Sequence, residues 1–398
     1  MNSVDINSFE KEGSVTNPCL RVLFVSHTYV VGVNQGKLNA IAATGTKVGL
    51  LVPSRWKALA WDKRFEIEKP YPEIHLYPAR VLFEGRVGAY LYPPGAILRA
   101  LRDFRPDIIQ VEQEVFSLSA LEMALWARFT GKPLILFCWE NMERHLSNFR
   151  QWSRQFILNT AKLIIAGNQE GAALLRQWGY QGQIEVMAQM GVDTSLFAPR
   201  PHKSRNSEFL IGYVGRLAHH KGIDILLAAI QHLRDHGHYC RVVLCGTGPD
   251  EEALRQEAQR QKVADLVIWR GGMRHDEVPE EMSKFDVLVL PSRTVPEWKE
   301  QFGHVLIEAM AMGIPAIGSS CGEIPNVVGR PDLVFPEGNA ERLAAILERM
   351  ICDSTWCEEL EQYSITRVSQ HYTHERIAER LLDLWRKLLN SKSNTEEL

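Results

Sequence analysis

The stretch "PEWKEQFGHVLIEAMAMGIPAIG" (296–318) carries two glutamates, Glu300 and Glu308, with seven residues between them. Glu308 stands in otherwise apolar sequence, where a carboxylate is costly to bury unless something pairs with it. A carboxylate accepts well from paired hydroxyls, and sugars and ribose offer such pairs. Earlier in the chain, "GRLAHHKG" sets Arg216 and Lys221 five positions apart, just ahead of a helix expected from about Gly222. Free backbone N–H groups at a helix start favour an anion, so two cations beside one make a diphosphate site. Read singly, the basic loop is equally a solvated loop and each glutamate a solvated charge. Their joint placement points to a site. "CGTGPD" (245–250) is a further glycine turn after a strand, and such turns are common.

These residues need elements to hold them. "GHVLIEAMAM" reads as a helix ended by Gly313 and Pro315. Val305, Leu306, Ala309 and Met310 share one face of it, with Glu308 on the flank beside Val305 and Met312. Glu300 falls in the loop after the strand "DVLVLPS" (286–292), above the same end of the sheet. In open α/β sheets, ligands bind beyond the carboxyl ends of the strands. The apolar runs at 20–29, 47–53, 107–114, 133–141 and 162–168 are each followed by polar residues and a helix-length segment. That is the pattern of a parallel sheet with helices on both faces. The pattern restarts with runs at 209–217, 239–249, 265–272, 286–292 and 314–320. "FAPRPHKSRNS" (197–207) separates the two series and reads as a linker.

The expected fold class is therefore α/β, with two doubly wound parallel-sheet domains, 18–196 and 208–373, facing a cleft. A disordered arm (1–17) precedes them. An amphipathic helix (374–390) follows, for which packing back on the first domain is one arrangement, and then a disordered tail (391–398). A length of 398 residues also favours two cores over one.

Residues 1–190 carry a net charge of +4 and the rest −7, so neither half is basic enough for nucleic acid. The mildly basic first half is compatible with an anionic acceptor or an anionic surface. Seven scattered cysteines, an odd number with no Cys-x-x-Cys, favour thiols in a reducing compartment. No apolar run reaches the length of a membrane span and no signal peptide is evident. The expected location is the cytoplasm, with the inner face of a membrane as the alternative. "ERHLSNFRQWSRQF" (143–156) mixes arginine with aromatics; it reads as a solvated amphipathic helix, with a peripheral membrane contact as the alternative.

"EQFGHVLIEAMAMGIPAIG" closely resembles the E-x7-E segment of family 4 retaining glycosyltransferases, which have the GT-B fold. "GRLAHHKGIDILLAA" resembles their phosphate segment, and "VLCGTGPDEEAL", "VIWRGGM" and "DVLVLPS" follow in the family's order and spacing. The resemblance covers the second half and is thinner in the first. It implies a nucleotide-sugar donor, with Arg216 and Lys221 on the diphosphate beside Gly215, Glu308 on the ribose and Met273 near the base. It implies Glu300 near the reacting carbon, and backbone N–H groups of Phe302 and Gly303 offered to sugar or phosphate. The catalytic set is Glu300, Arg216 and Lys221. No cofactor and no metal are implied, and the absence of Asp-x-Asp weakens a metal-clamped leaving group.

The acceptor, a saccharide, lipid-linked glycan or small molecule, is expected on the first domain, near Gly32, Asn34, Glu112, Glu140 and Asn141. The chain departs from the family there. The first loop reads Val31-Gly32-Val33-Asn34 where paired glycines are usual. Glu112 and Glu140-Asn141 stand where relatives have histidines. Gly322-Glu323-Ile324-Pro325-Asn326 replaces the usual G-G-x-x-E. Rival readings are a nucleotide-sugar epimerase of the same fold and a non-catalytic nucleotide-sugar-binding subunit. A dinucleotide oxidoreductase is disfavoured because no G-x-G-x-x-G follows the first strand.

Overall fold

The computed structural model describes residues 19–58, 63–199 and 208–396, with side chains as far as Asn390. The arm expected at 1–17 and positions 200–207 of the expected linker lie outside the described residues.

Two wholly parallel sheets form. The first runs His75–Ala79, Lys47–Pro53, Arg21–Val25, Ile108–Glu112, Leu134–Cys138, Ala161–Ala166, Gln183–Val186. The second runs Val267–Gly271, Cys240–Cys245, Phe209–Val214, Val287–Leu290, Ala316–Ser319, Val334–Phe335. Leu134–Cys138 and Val287–Leu290 are buried at every position, because helices cover both faces of the sheet. In each sheet the domain's first strand is interior and the chain winds away from it on both sides. Strand order reverses between Arg21–Val25 and Ile108–Glu112, and between Phe209–Val214 and Val287–Leu290. At such reversals the loops leaving the two strands diverge and leave a crevice. The second domain's crevice is flanked by the loop with Arg216 and Lys221 and by the loop with Glu300.

Three strands not evident in the sequence, His75–Ala79, Gln183–Val186 and Val334–Phe335, are edge strands. The first contains Pro78, tolerated because an edge leaves backbone groups unpaired. An antiparallel pair, Arg55–Ala58 with Lys63–Glu66, stands apart from both sheets.

Each sheet has its own hydrophobic core. Phe197, the first residue of the expected linker, is instead buried in the second core, where its ring has apolar neighbours. The last helix, His374–Glu396, crosses back to the first domain. Ile377, Leu381 and Trp385 enter the first core, and Trp385 Nε1 donates to Gln110 Oε1 at 3.0 Å. This helix continues to Glu396, through most of the segment expected as a disordered tail, since no glycine or proline interrupts it. All seven cysteines are free thiols. Among the described residues, no helix is long and apolar enough to cross a membrane.

Candidate active site

The two crevice loops of the second domain are built against each other. Gly222 adopts φ +68°, and a Cβ there would lie 2.0 Å from the Pro291 carbonyl oxygen, so the helix Ile223–Asp235 can begin only from glycine. The Arg293 N–H donates to the His220 carbonyl at 2.8 Å, and the Arg293 side chain pairs with Asp224. This contact brings Lys221 Nζ to 2.7 Å from Glu300 Oε2. The same oxygen accepts from Ser292 Oγ at 3.0 Å. Lys221 Nζ also sits 4.5 Å from the centre of the Trp298 ring, and the His220 ring lies 4.2 Å from it. Burial, then the charge of Lys221, hold His220 below its ordinary pKa, and Arg216 adds to the effect. A lysine ammonium has three donors, so Lys221 can keep Glu300 and still serve a phosphate.

Glu300 is buried, in the loop before the helix His304–Ala311. Its backbone is fixed on both sides. The Glu300 N–H donates to Cys321 Sγ at 3.5 Å, and its carbonyl accepts from the Glu323 N–H at 3.2 Å and from Asn141 Nδ2 at 3.1 Å. Among the described residues the N–H groups of Gln301, Phe302 and Gly303 have no protein acceptor. They precede a helix N-terminus and line a cavity of about 310 Å³, which Trp139 and Gln189 of the first domain close.

Arg216 is exposed and lines a cavity of about 560 Å³ with Gly215, Thr247, Gly248 and Met273. Glu308, on the helix His304–Ala311, meets His275 Nε2 at 3.3 Å. That hydrogen bond raises the His275 pKa. Glu308 and His275 line a third cavity, about 240 Å³, with Asn34, His304 and His374. Met273 lines the first cavity and His275, two residues on, lines the third. Arg216, Gly215 and Met273 thus meet in one cavity, Glu300, Phe302 and Gly303 in a second, and Glu308 with Asn34 in a third. The Lys221–Glu300 pair spans the two crevice loops. The sequence reading missed Ser292, Trp298 and His275. Ser292 ends a recognised strand, but neither Trp298 nor His275 stands in a distinctive pattern.

Residues 38–196 match the model described as Glycosyltransferase Family 4, and residues 196–367 match that of Glycosyl transferases group 1. Together they span most of the chain. The protein belongs to this glycosyltransferase family.

Among its relatives, WcaL of Escherichia coli K12, named for colanic acid biosynthesis, is 27% identical over 61% of this chain and 60% of its own. The gpi3 subunit of phosphatidylinositol N-acetylglucosaminyltransferase from Schizosaccharomyces pombe is 32% identical over 39% of this chain and 33% of its own. A GDP-mannose-dependent phosphatidylinositol monomannoside mannosyltransferase of Mycobacterium tuberculosis is 31% identical over 41% and 46%. The chain thus spans between a third and three fifths of the length of these curated relatives. Sucrose-phosphate synthase of Thermosynechococcus elongatus superposes with a TM-score of 0.70 at 21% identity, covering 94% of this chain and 100% of that one. HepE of Anabaena, solved with UDP, superposes at 0.69 and 19% identity, over 92% and 100%. The fold of this chain is GT-B.

On the first domain the residues expected on the acceptor side fare differently. Asn34 donates to the Thr28 carbonyl and reaches the third cavity. The Gly32 N–H is taken by Glu68 Oε2 at 2.6 Å. Glu140 holds Arg144 at 2.8 Å, and Asn141 reaches across the cleft to Glu300. Glu112 lies deeper. It is fully buried, with Lys37 Nζ at 2.7 Å on Oε1 and the Tyr29 hydroxyl at 2.6 Å on Oε2, and it also accepts from Gln110 and Gln189. Its oxygens are held in a buried network, because the helix Gly36–Ala43 turns Lys37 inward. Glu114, two residues on, was missed. It accepts from the N–H groups of Trp139 and Glu140, and burial pushes its carboxyl up to about 8.

Proposed function

We propose that the protein is a retaining, metal-independent glycosyltransferase that moves a sugar from a nucleoside diphosphate sugar to a hydroxyl of an acceptor on the first domain. The observation that carries this reading is the Lys221–Glu300 contact in the crevice beside Arg216. Breaking a sugar–phosphate bond leaves negative charge on the diphosphate and positive charge on the sugar. Lys221, Arg216 and the start of the helix Ile223–Asp235 meet the first, and Glu300 faces the second. Glu308 with His275 takes the ribose. The cavity lined by Gln301, Phe302 and Gly303 takes the sugar, with Trp139 against it. The acceptor attacks from the face the phosphate leaves, and the departing phosphate takes its proton. HepE, solved with UDP and glucose, supports a nucleotide-sugar donor for this fold. Proton NMR of the product made by the purified protein from a panel of UDP-, GDP- and ADP-hexoses tests the reading. An axially linked donor gives an axially linked product; an inverted product contradicts retention.

Because the cations at the leaving group are side chains, turnover persists after dialysis against excess EDTA. Loss of activity restored by magnesium or manganese would contradict this.

The acceptor of this reading is anionic or sits on an anionic lipid surface. Leu82, Phe83, Val87, Phe149 and Trp152 are exposed. They form neighbouring elements, because Arg150 on the helix Asn148–Thr160 donates to the Gly88 carbonyl at 2.8 Å. Arg80 and Arg86 are exposed beside them. Exposed apolar side chains with exposed arginines close by in the chain suit a peripheral contact with anionic lipid. The protein then sediments with phosphatidylglycerol vesicles in a salt-sensitive way and ignores phosphatidylcholine. Equal indifference to both vesicles argues for a soluble acceptor.

A further inference from the structure

The segment that carries Glu300 is held from the opposite domain. Asn141 Nδ2, just past the first-domain strand Leu134–Cys138, donates to the Glu300 carbonyl at 3.1 Å, and both residues are buried. Arg144 donates to the Glu297 carbonyl at 3.3 Å. Lys299 pairs with Glu170 at 2.7 Å. The Gln169 N–H donates to Glu323 Oε2 at 2.9 Å, and the Glu323 N–H in turn shares the Glu300 carbonyl. First-domain groups therefore touch Glu297, Lys299, Glu300 and Glu323, all on the second domain.

The Asn141 contact differs from the others. Lys299 and Arg144 are partly exposed, and such contacts contribute little to positioning. Asn141 acts on the peptide that joins Glu300 to Gln301. A peptide unit is planar and trans, so its N–H points opposite to its carbonyl. Fixing the Glu300 carbonyl toward Asn141 and Glu323 fixes the Gln301 N–H as well, the first of the three unpartnered donors at the sugar cavity. It also sets the Cα from which the Glu300 carboxylate reaches Lys221 and Ser292. A Cβ on Gly322 would lie 1.9 Å from the same carbonyl oxygen, so only glycine there lets the two backbones approach.

We propose that Asn141 is a positioning residue: from the acceptor domain it locks the Glu300–Gln301 peptide, so that Glu300 and the sugar-cavity donors are in place only when the two domains are closed. This rests on the proposed function for its consequence in catalysis, and on the contact alone for its consequence in structure. It makes domain closure a condition for donor activation. Diphosphate binding depends on Arg216 and Lys221 of the second domain and is independent of it.

The test uses the full chain with Asn141→Ala and Asn141→Asp, the second nearly isosteric but without the donor. Amide hydrogen exchange of the 297–304 segment, read by mass spectrometry without any ligand, speeds up at least about tenfold in both variants. An unchanged rate overturns the proposal whatever the donor proves to be. With the nucleoside diphosphate hexose that the wild type turns over, kcat falls between about tenfold and a hundredfold while the affinity for free nucleoside diphosphate stays within about twofold. Slow hydrolysis of the same donor without acceptor falls by the same factor. Loss of transfer with hydrolysis intact would mean that Asn141 touches the acceptor, and a parallel loss of nucleotide affinity would mean a general structural role; either overturns the proposal. A wild type that turns over none of the panel counts against the proposed function and leaves the exchange result to decide the positioning role.

Discussion

Replacing Glu300 with glutamine lowers kcat by roughly 10²–10³-fold, the scale of losing one preorganised electrostatic group from a buried site. The carboxylate is buried, fixed through its backbone, and held at Oε2 by Lys221 and Ser292. A negative group held in this way matters most when the sugar carbon gains positive charge, so the loss appears in the transition state and not in binding. The affinity for free nucleoside diphosphate therefore changes little. Glu308→Gln behaves in the opposite way. It exchanges one acceptor oxygen beside His275 for a donor, which removes ribose contacts common to ground and transition states. KM rises about tenfold and kcat holds, with inhibition by free nucleoside diphosphate weakened in proportion. Steady-state kinetics on both variants check the division. If Glu300→Gln spares kcat but weakens the bare nucleotide, the roles are wrongly divided.

The largest effect on stability is expected from Lys37→Met. Lys37 and Glu112 are both buried, and burial outweighs Glu112 in holding the Lys37 ammonium below its ordinary pKa. Removing one partner leaves the other charge uncompensated, at a cost of roughly 3–5 kcal/mol. For a domain of this size that lowers the first-domain melting transition by about 10 °C. The double variant Lys37→Met with Glu112→Leu recovers most of the loss, since an apolar pair carries no desolvation penalty. Calorimetric melting of the three proteins checks this. A single variant that melts with the wild type would show that the remaining hydrogen bonds to Glu112 suffice.

What the residues reveal without coordinates follows from how each contact is made. Interior parallel strands are buried on both faces and appear as unbroken apolar runs, so the runs that carry the crevice loops were readable. The edge strands Gln183–Val186 and Val334–Phe335 are short and partly exposed, and so carry no such signal. Arg216, Lys221, Glu300 and Glu308 were recognisable from residue type and from the loop or helix that holds them. The Lys221–Glu300 contact was not, because it joins positions 79 residues apart. The surroundings of Glu112 were hidden for a related reason. At a strand end it reads as a cleft residue, and only Lys37, 75 positions away, draws it into the core. The hold of Asn141 on Glu300 joins positions 159 apart in different domains and leaves no local trace.

The central claim is that the crevice loops with Arg216 and Lys221 bind the donor diphosphate. Isothermal titration of UDP and GDP into the wild type and Lys221→Ala tests it most directly. A charge-assisted contact to phosphate contributes roughly 1.5–3 kcal/mol, and the substitution also leaves Glu300 without its cation. One of the two nucleotides binds the wild type, and its dissociation constant rises at least about tenfold in Lys221→Ala. Equal affinities in the two proteins, or no binding of either nucleotide to the wild type, would contradict the account.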